Sequence, residues 1–118
     1  MADTALQAYR NLDVDETGVL VFAGPVQIFG WYIYNNAATT RYIKLYNKAT
    51  APTVGTNTPV ITLGLPAGAA ANLMITGSYG IDEFPLGLGV GATTGVADAD
   101  TGAPGTNDVV MNLWTTVA

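Results

Sequence analysis

The triplet Asp100-Thr101-Gly102, inside ADADTGAP (97–104), has the residue types of a catalytic element. In aspartic-protease chemistry such a triplet supplies one of two carboxylates that share a proton in a dry, fixed site, in retroviral-type enzymes within a homodimer. That chemistry needs the triplet to follow a hydrophobic strand. Here it follows Ala97, Asp98 and Ala99 and runs into Pro104 and Gly105, the composition of a wet loop. No second apolar-apolar-Gly element follows it. The Asp98/Asp100 pair could instead touch a cation, but Ca²⁺ takes six or more oxygens and the acids of an EF-hand spacing are missing. A solvated acidic turn is the simpler reading. Asp82 and Glu83 are adjacent, so on a strand they would face opposite sides, which is wrong for paired acid-base work; they read as a turn. GLGVGATTG (87–95) has neither the Gly-Lys-Ser/Thr nor the following helix that phosphate cradling needs. It reads as a strand whose small residues permit close packing. The chain has no Cys and no His, and Ser occurs once, at Ser78. Thiolate nucleophiles, Cys-ligated metals and Ser-His-Asp or Cys-His arrangements are therefore excluded. We expect a protein that is not an enzyme, with no catalytic residue, no metal and no cofactor.

RYIKLYNKATAPTVGTNTP (41–59) holds Arg41, Lys44 and Lys48, three of the four basic residues, with Tyr42 and Tyr46. On a strand Tyr42, Lys44 and Tyr46 share one face, and Arg41, Ile43, Leu45 and Asn47 the other. In the preceding run Trp31, Ile33 and Asn35 share a face opposite Tyr32 and Tyr34. If YNNAAT turns the chain between them, the tyrosines can pair across strands or serve as stacking platforms for nucleic acid. Residues 1–40 carry net −3, residues 41–60 carry +3 and residues 61–118 carry −5. A chain of this sign repels a phosphate backbone, and three cations make a poor groove for one. We expect no nucleic-acid partner. The other reading puts Ile43, Leu45, Ile33, Val60, Ile61 and Leu63 in the core. The tyrosines then lie half-buried at an interface, and Arg41 and Lys44 pair with acids on a neighbouring subunit.

The elements that must position these residues are strands. Period-two runs occupy 17–23, 26–36, 40–47, 58–65, 71–76, 86–94 and 108–117, separated by turn clusters such as KATAPTVGTN and GVADADTGAPGTN. Gly30, inside its run, marks a bulge or a close backbone approach. The first sixteen residues read as an N-terminal arm or a short helix around TALQAYRNL. The fold expected is all-β: one domain over 1–118, a compact β-sandwich or small jelly roll of about seven or eight antiparallel strands. Only 11% of the residues are charged and 49% are apolar. Such a surface suits a molecule that spends its life against other protein. No run is long and apolar enough for a membrane helix, and we expect no membrane partner. No signal peptide is evident, and Met1 opens the chain, which gives the expectation of a complete small protein made in a cytoplasm.

The run YIKLYNKATAPTVGTNTPVITLGLPAGA (42–69) resembles a motif of small virion structural proteins of tailed bacteriophages. GWYIYNN (30–36) and GIDEFPLGLGVGATTGVADADTGAP (80–104) fit the same pattern, so the likeness covers roughly residues 30–110. The chain departs from the family form at GIDEFPLGLGV, where acids stand between Ile81 and Phe84 and Leu88-Gly89 stands where an aromatic is expected. The resemblance implies a capsid cement (decoration) protein: a β-sandwich, made in the bacterial host cytoplasm, bound as a homotrimer to the outer surface of the major capsid protein shell and stabilising the virion. The interface residues expected on this basis are Trp31, Tyr32, Tyr34, Arg41, Tyr42, Lys44 and Tyr46. The alternative is a tail- or fibre-associated virion protein that binds a receptor or carbohydrate.

Overall fold

The computed structural model describes residues 5–117. They form nine strands: β1 (Gln7–Asn11), β2 (Val19–Ala23), β3 (Val26–Asn35), β4 (Arg41–Asn47), β5 (Ile61–Leu65), β6 (Ala70–Met74), β7 (Ile81–Phe84), β8 (Gly87–Thr93) and β9 (Val109–Val117). All pairing is antiparallel and nested. The first strand pairs with the last, β2 with β8, β3 with β6 and β7, and β4 with β5. This is a ribbon folded back over itself, and the further pairs β3–β9 and β4–β8 join it into two sheets. The five-stranded sheet runs β1-β9-β3-β6, with β7 also on β3, and the four-stranded sheet runs β2-β8-β4-β5. The nesting is that of a jelly roll, two Greek keys closed face to face.

Alternation explains which side chains meet between the sheets. In β9 Val109, Met111 and Leu113 are buried, in β8 Leu88, Val90 and Ala92, and in β4 Ile43 and Leu45. In β3 the inward set changes parity: Val26 and Ile28 point in, then Trp31 and Ile33. The pairing with β9 slips between Ile28 and Gly30, so a bulge absorbs one residue. A methyl group on Gly30 would stand 2.7 Å from the Leu73 carbonyl and 3.3 Å from the Trp114 ring, so close approach and bulge coincide there. The bulge turns Trp31 inward and Tyr32 and Tyr34 outward. Asn35 closes the inward row. Its Nδ2 donates to the carbonyls of Thr39, Leu65 and Pro66, and its Oδ1 accepts from Ala37 N at 2.8 Å. One buried amide thus ties the β3–β4 turn to the corner where the chain passes from β5 into the other sheet.

Four expectations are corrected. The strands number nine among the described residues. Gln7–Asn11 is a strand, neither helix nor free arm, because the half-buried Tyr9 packs on the core and β9 supplies a ladder; residues 1–4 of the expected arm lie outside the described residues. Asp82 and Glu83 sit in β7, since the inward Phe84 and Ile81 dock that segment on β3. Val60 is 43% exposed, one residue ahead of β5, whereas Ile61 and Leu63 pack on the core. Among the described residues no helix is long and apolar enough to cross a membrane.

Candidate interaction faces

A sandwich has two outer faces, and here they are treated differently. On the four-stranded sheet the outward residues are Tyr42, Lys44 and Tyr46 of β4 and Gly89, Gly91 and Thr93 of β8, set side by side by the β4–β8 register. Two loops lie over them. The segment after β4 lays buried Pro52 and Val54 on β8. A methyl group on Gly89 would stand 2.6 Å from Pro52 Cδ, and one on Gly91 2.7 Å from Val54 Cγ2. The glycine alternation of GLGVGAT is what lets this loop rest directly on the strand. The segment after β8 completes the roof, meeting the first loop where Thr101 touches Gly55.

The roof is fastened from below and within. Lys44, 0% exposed, donates from Nζ to the Ala97 carbonyl at 2.7 Å. Asp100 Oδ1 accepts from Gly102 N at 2.8 Å and Gly95 N at 3.2 Å. The carboxylate of the Asp-Thr-Gly triplet is therefore a clasp that closes its own loop. Thr93 Oγ1 donates to the Gly95 carbonyl. Tyr46 is also wholly buried, and its hydroxyl has no hydrogen-bond partner. Burial, and secondly the negative charge of Asp98, push its pKa above the ordinary 10.0. Among the described residues no group of three or more acidic side chains is placed to hold a metal.

The outer face of the five-stranded sheet carries no such cover among the described residues. Register aligns three rows across it. Ala8, Trp114, Gly30 and Met74 form one row; Arg10, Asn112, Tyr32 and Asn72 the next; Val110, Tyr34 and Ala70 the third. Met74 is 56% and Tyr32 39% exposed, while Trp114, Tyr34 and Val110 are half-buried. Arg10 is the one charged residue in the three rows.

The seven residues expected at an interface are divided by this geometry. Tyr32 and Tyr34 come together on the open face. Tyr42 lies half-buried on the other sheet, its ring against Gly64. Trp31, Lys44 and Tyr46 belong to the interior, Trp31 through the β3 bulge and the other two through the roof, so they are withdrawn from the surface set. Arg41 binds within its own chain: Nε and Nη2 both lie 3.1 Å from Asp108 Oδ2. It is not left to seek a neighbour's acid. The residues the reading missed are Trp114, Met74, Asn72 and Asn112. Period two in DVVMNLWTTV already sets Val110, Asn112 and Trp114 opposite Val109, Met111 and Leu113. No family model, curated protein or solved structure matches the chain.

Proposed function

We propose that the protein is a capsid cement protein of a tailed bacteriophage, a non-enzymatic virion component that binds the outer surface of the major capsid protein shell as a homotrimer and stabilises it. The observation that carries this reading is the uncovered face of the five-stranded sheet. Interfaces favour Trp, Tyr, Met and Arg and are poor in Lys, Glu and Asp. The three rows contain Trp114, Tyr32, Tyr34, Met74 and Arg10 and no Lys, Glu or Asp. A small jelly roll with one uncovered, weakly charged contact face is what cementing asks of a small protein. Each copy of a trimer adds a modest contact, and the effective concentration supplied by the first strengthens the next.

The rings beside the Asn72 and Asn112 amides would also suit sugar stacking, which is the tail- or fibre-associated reading. Copy number in purified virions separates the two: hundreds per particle are expected for cement, and a few to a few dozen would favour a tail part. The direct test strips the protein from particles and adds it back. Re-binding that restores heat resistance to the shell is the expected result; particles equally stable with and without it would overturn the reading.

A further inference from the structure

We propose that copies of the chain join head to tail through the two edges of the five-stranded sheet, β1 of one copy against the β7–β6 edge of the next. This rests on the reading of the protein as a ring of copies and names the contact that closes it. At one edge β1 pairs only with β9, and at the other β6 and β7 pair only with β3, so each edge has an open side among the described residues. Strand directions allow the junction. β1 runs parallel to β3 and opposite to β6 and β7, so edge-to-edge addition continues the antiparallel order.

Charge selects the register. Each copy carries net −5, so association must bring opposite charges together locally. Arg10 is exposed on β1, Asp82 and Glu83 are exposed on β7, and none of the three has an ion-pair partner among the described residues. Arg10 is level with Asn112 on β9. Ile81 is level with Ile28 and hence Thr115, and Phe84 with Val26 and hence Val117, so Asp82 and Glu83 lie around the level of Thr116. Bringing Arg10 to them takes a shift of four residues, about 13 Å along the strand. Leu12 lies one residue past the end of β1, next to the Asn11–Met111 pair, and the same shift carries it from about the level of Val110 to about that of Trp114. Met74 stands at that level, because both Met74 and Trp114 pair with Gly30. Leu12 is 45% and Met74 56% exposed. One displacement therefore matches a cation to two acids and an exposed apolar side chain to another. Its even length keeps side chains on their own face of the sheet.

Two further features sit where this junction would form. Tyr79, 82% exposed, precedes β7. Beside β1 lies an open groove of about 80 Å³ between the sheets, lined by Ala8, Tyr9, Val21 and Phe22 among others. The contact is heterologous, because the surface that gives differs from the surface that receives, and such contacts build rings when the rotation closes.

The chain has no cysteine, so an engineered pair reports the contact without background. Carrying both Leu12→Cys and Met74→Cys, the protein should form covalent multimers on mild oxidation, ending at the trimer, while either single variant stays uncrosslinked. In sedimentation velocity Arg10→Glu should raise the dissociation constant at least tenfold. Adding Asp82→Lys and Glu83→Lys to Arg10→Glu should bring it back to within about threefold of the original, and adding Asp98→Lys instead should not. An oligomer that Arg10→Glu leaves intact and the cysteine pair does not link would overturn this contact while leaving the ring standing. Crosslinking of a single-cysteine variant with itself would replace it by a two-fold contact. A protein monomeric at every concentration would overturn contact and ring together, and re-binding to stripped shells is read separately from both.

Discussion

The two outer faces of the sandwich begin from similar material and end differently. Each sheet sets tyrosines outward at period two, Tyr42 and Tyr46 on β4, Tyr32 and Tyr34 on β3. On the four-stranded sheet the neighbouring strand offers glycines, and the chain's own loops fill the space above them with Pro52 and Val54. On the five-stranded sheet the neighbouring strand offers Val110, Asn112 and Trp114, and no loop of the described residues crosses. An aromatic on a strand is thus structural or available according to what its cross-strand neighbour permits to lie over it. The roofed face is part of the fold, and the bare face is the surface we propose for a partner.

The largest effect that would break this comparison is on binding. Tyr32→Glu together with Asn72→Glu places two charges on the bare face, at positions exposed enough to spare the fold and outside the proposed contact between copies. We expect shell binding to weaken by at least about 100-fold, close to 3 kcal/mol, in a pull-down with stripped particles. Glutamates at Val96 and Asp98, on the roof, should leave it unchanged. Next comes stability. Gly89→Ala drives a methyl into the Pro52 ring and should cost about 2 kcal/mol in denaturant unfolding. Gly77→Ala, where a methyl meets nothing within 4 Å, should stay within about 0.5 kcal/mol. Lys44→Met removes the hydrogen bond to Ala97. Its main effect should be local: amide exchange across residues 95–100 quickens while the exchange of β8 and β9 holds.

The smallest effect sharpens the account of the roof. The Tyr46 hydroxyl is buried without a partner, so Tyr46→Phe should stabilise the protein by about 1 kcal/mol at neutral pH. The sign at high pH follows from the raised folded-state pKa. Stability is intact below the unfolded value of 10.0 and falls as pH rises through it, because ionisation then favours the unfolded chain. Tyr46→Phe should lose less stability than the parent between pH 9 and about 11 in thermal melts, and an equal loss would show that the Tyr46 hydroxyl titrates alike in the folded and unfolded chain.

Most of the fold could be read from alternation, and seven of the nine strands fall on the runs expected. The others show why alternation was not enough. TALQAYRNL reads equally as a short helix or an extended arm, and only the ladder offered by β9, about 100 residues away, makes it a strand. β7 is four residues long with two acids in its middle, too short to show a period. For the candidate faces, period two set Tyr32 and Tyr34 opposite Trp31, yet all three were expected at an interface, and only the packing of Trp31 on the core separates it from the two tyrosines. It could not show that Tyr46 and Lys44 are covered. Their cover comes from segments that read as solvated turns, and Gly89 and Gly91 disclose it only once the loop is seen on top of them.

The most direct measurement is the orientation of the protein in the intact particle, read by cryo-electron microscopy with this chain traced in its density. The account predicts Tyr32, Met74 and Trp114 against the shell, with the loops that carry Val54 and Asp98 turned to solvent. Density showing those loops pressed on the shell and the Tyr32 face open to solvent would contradict it.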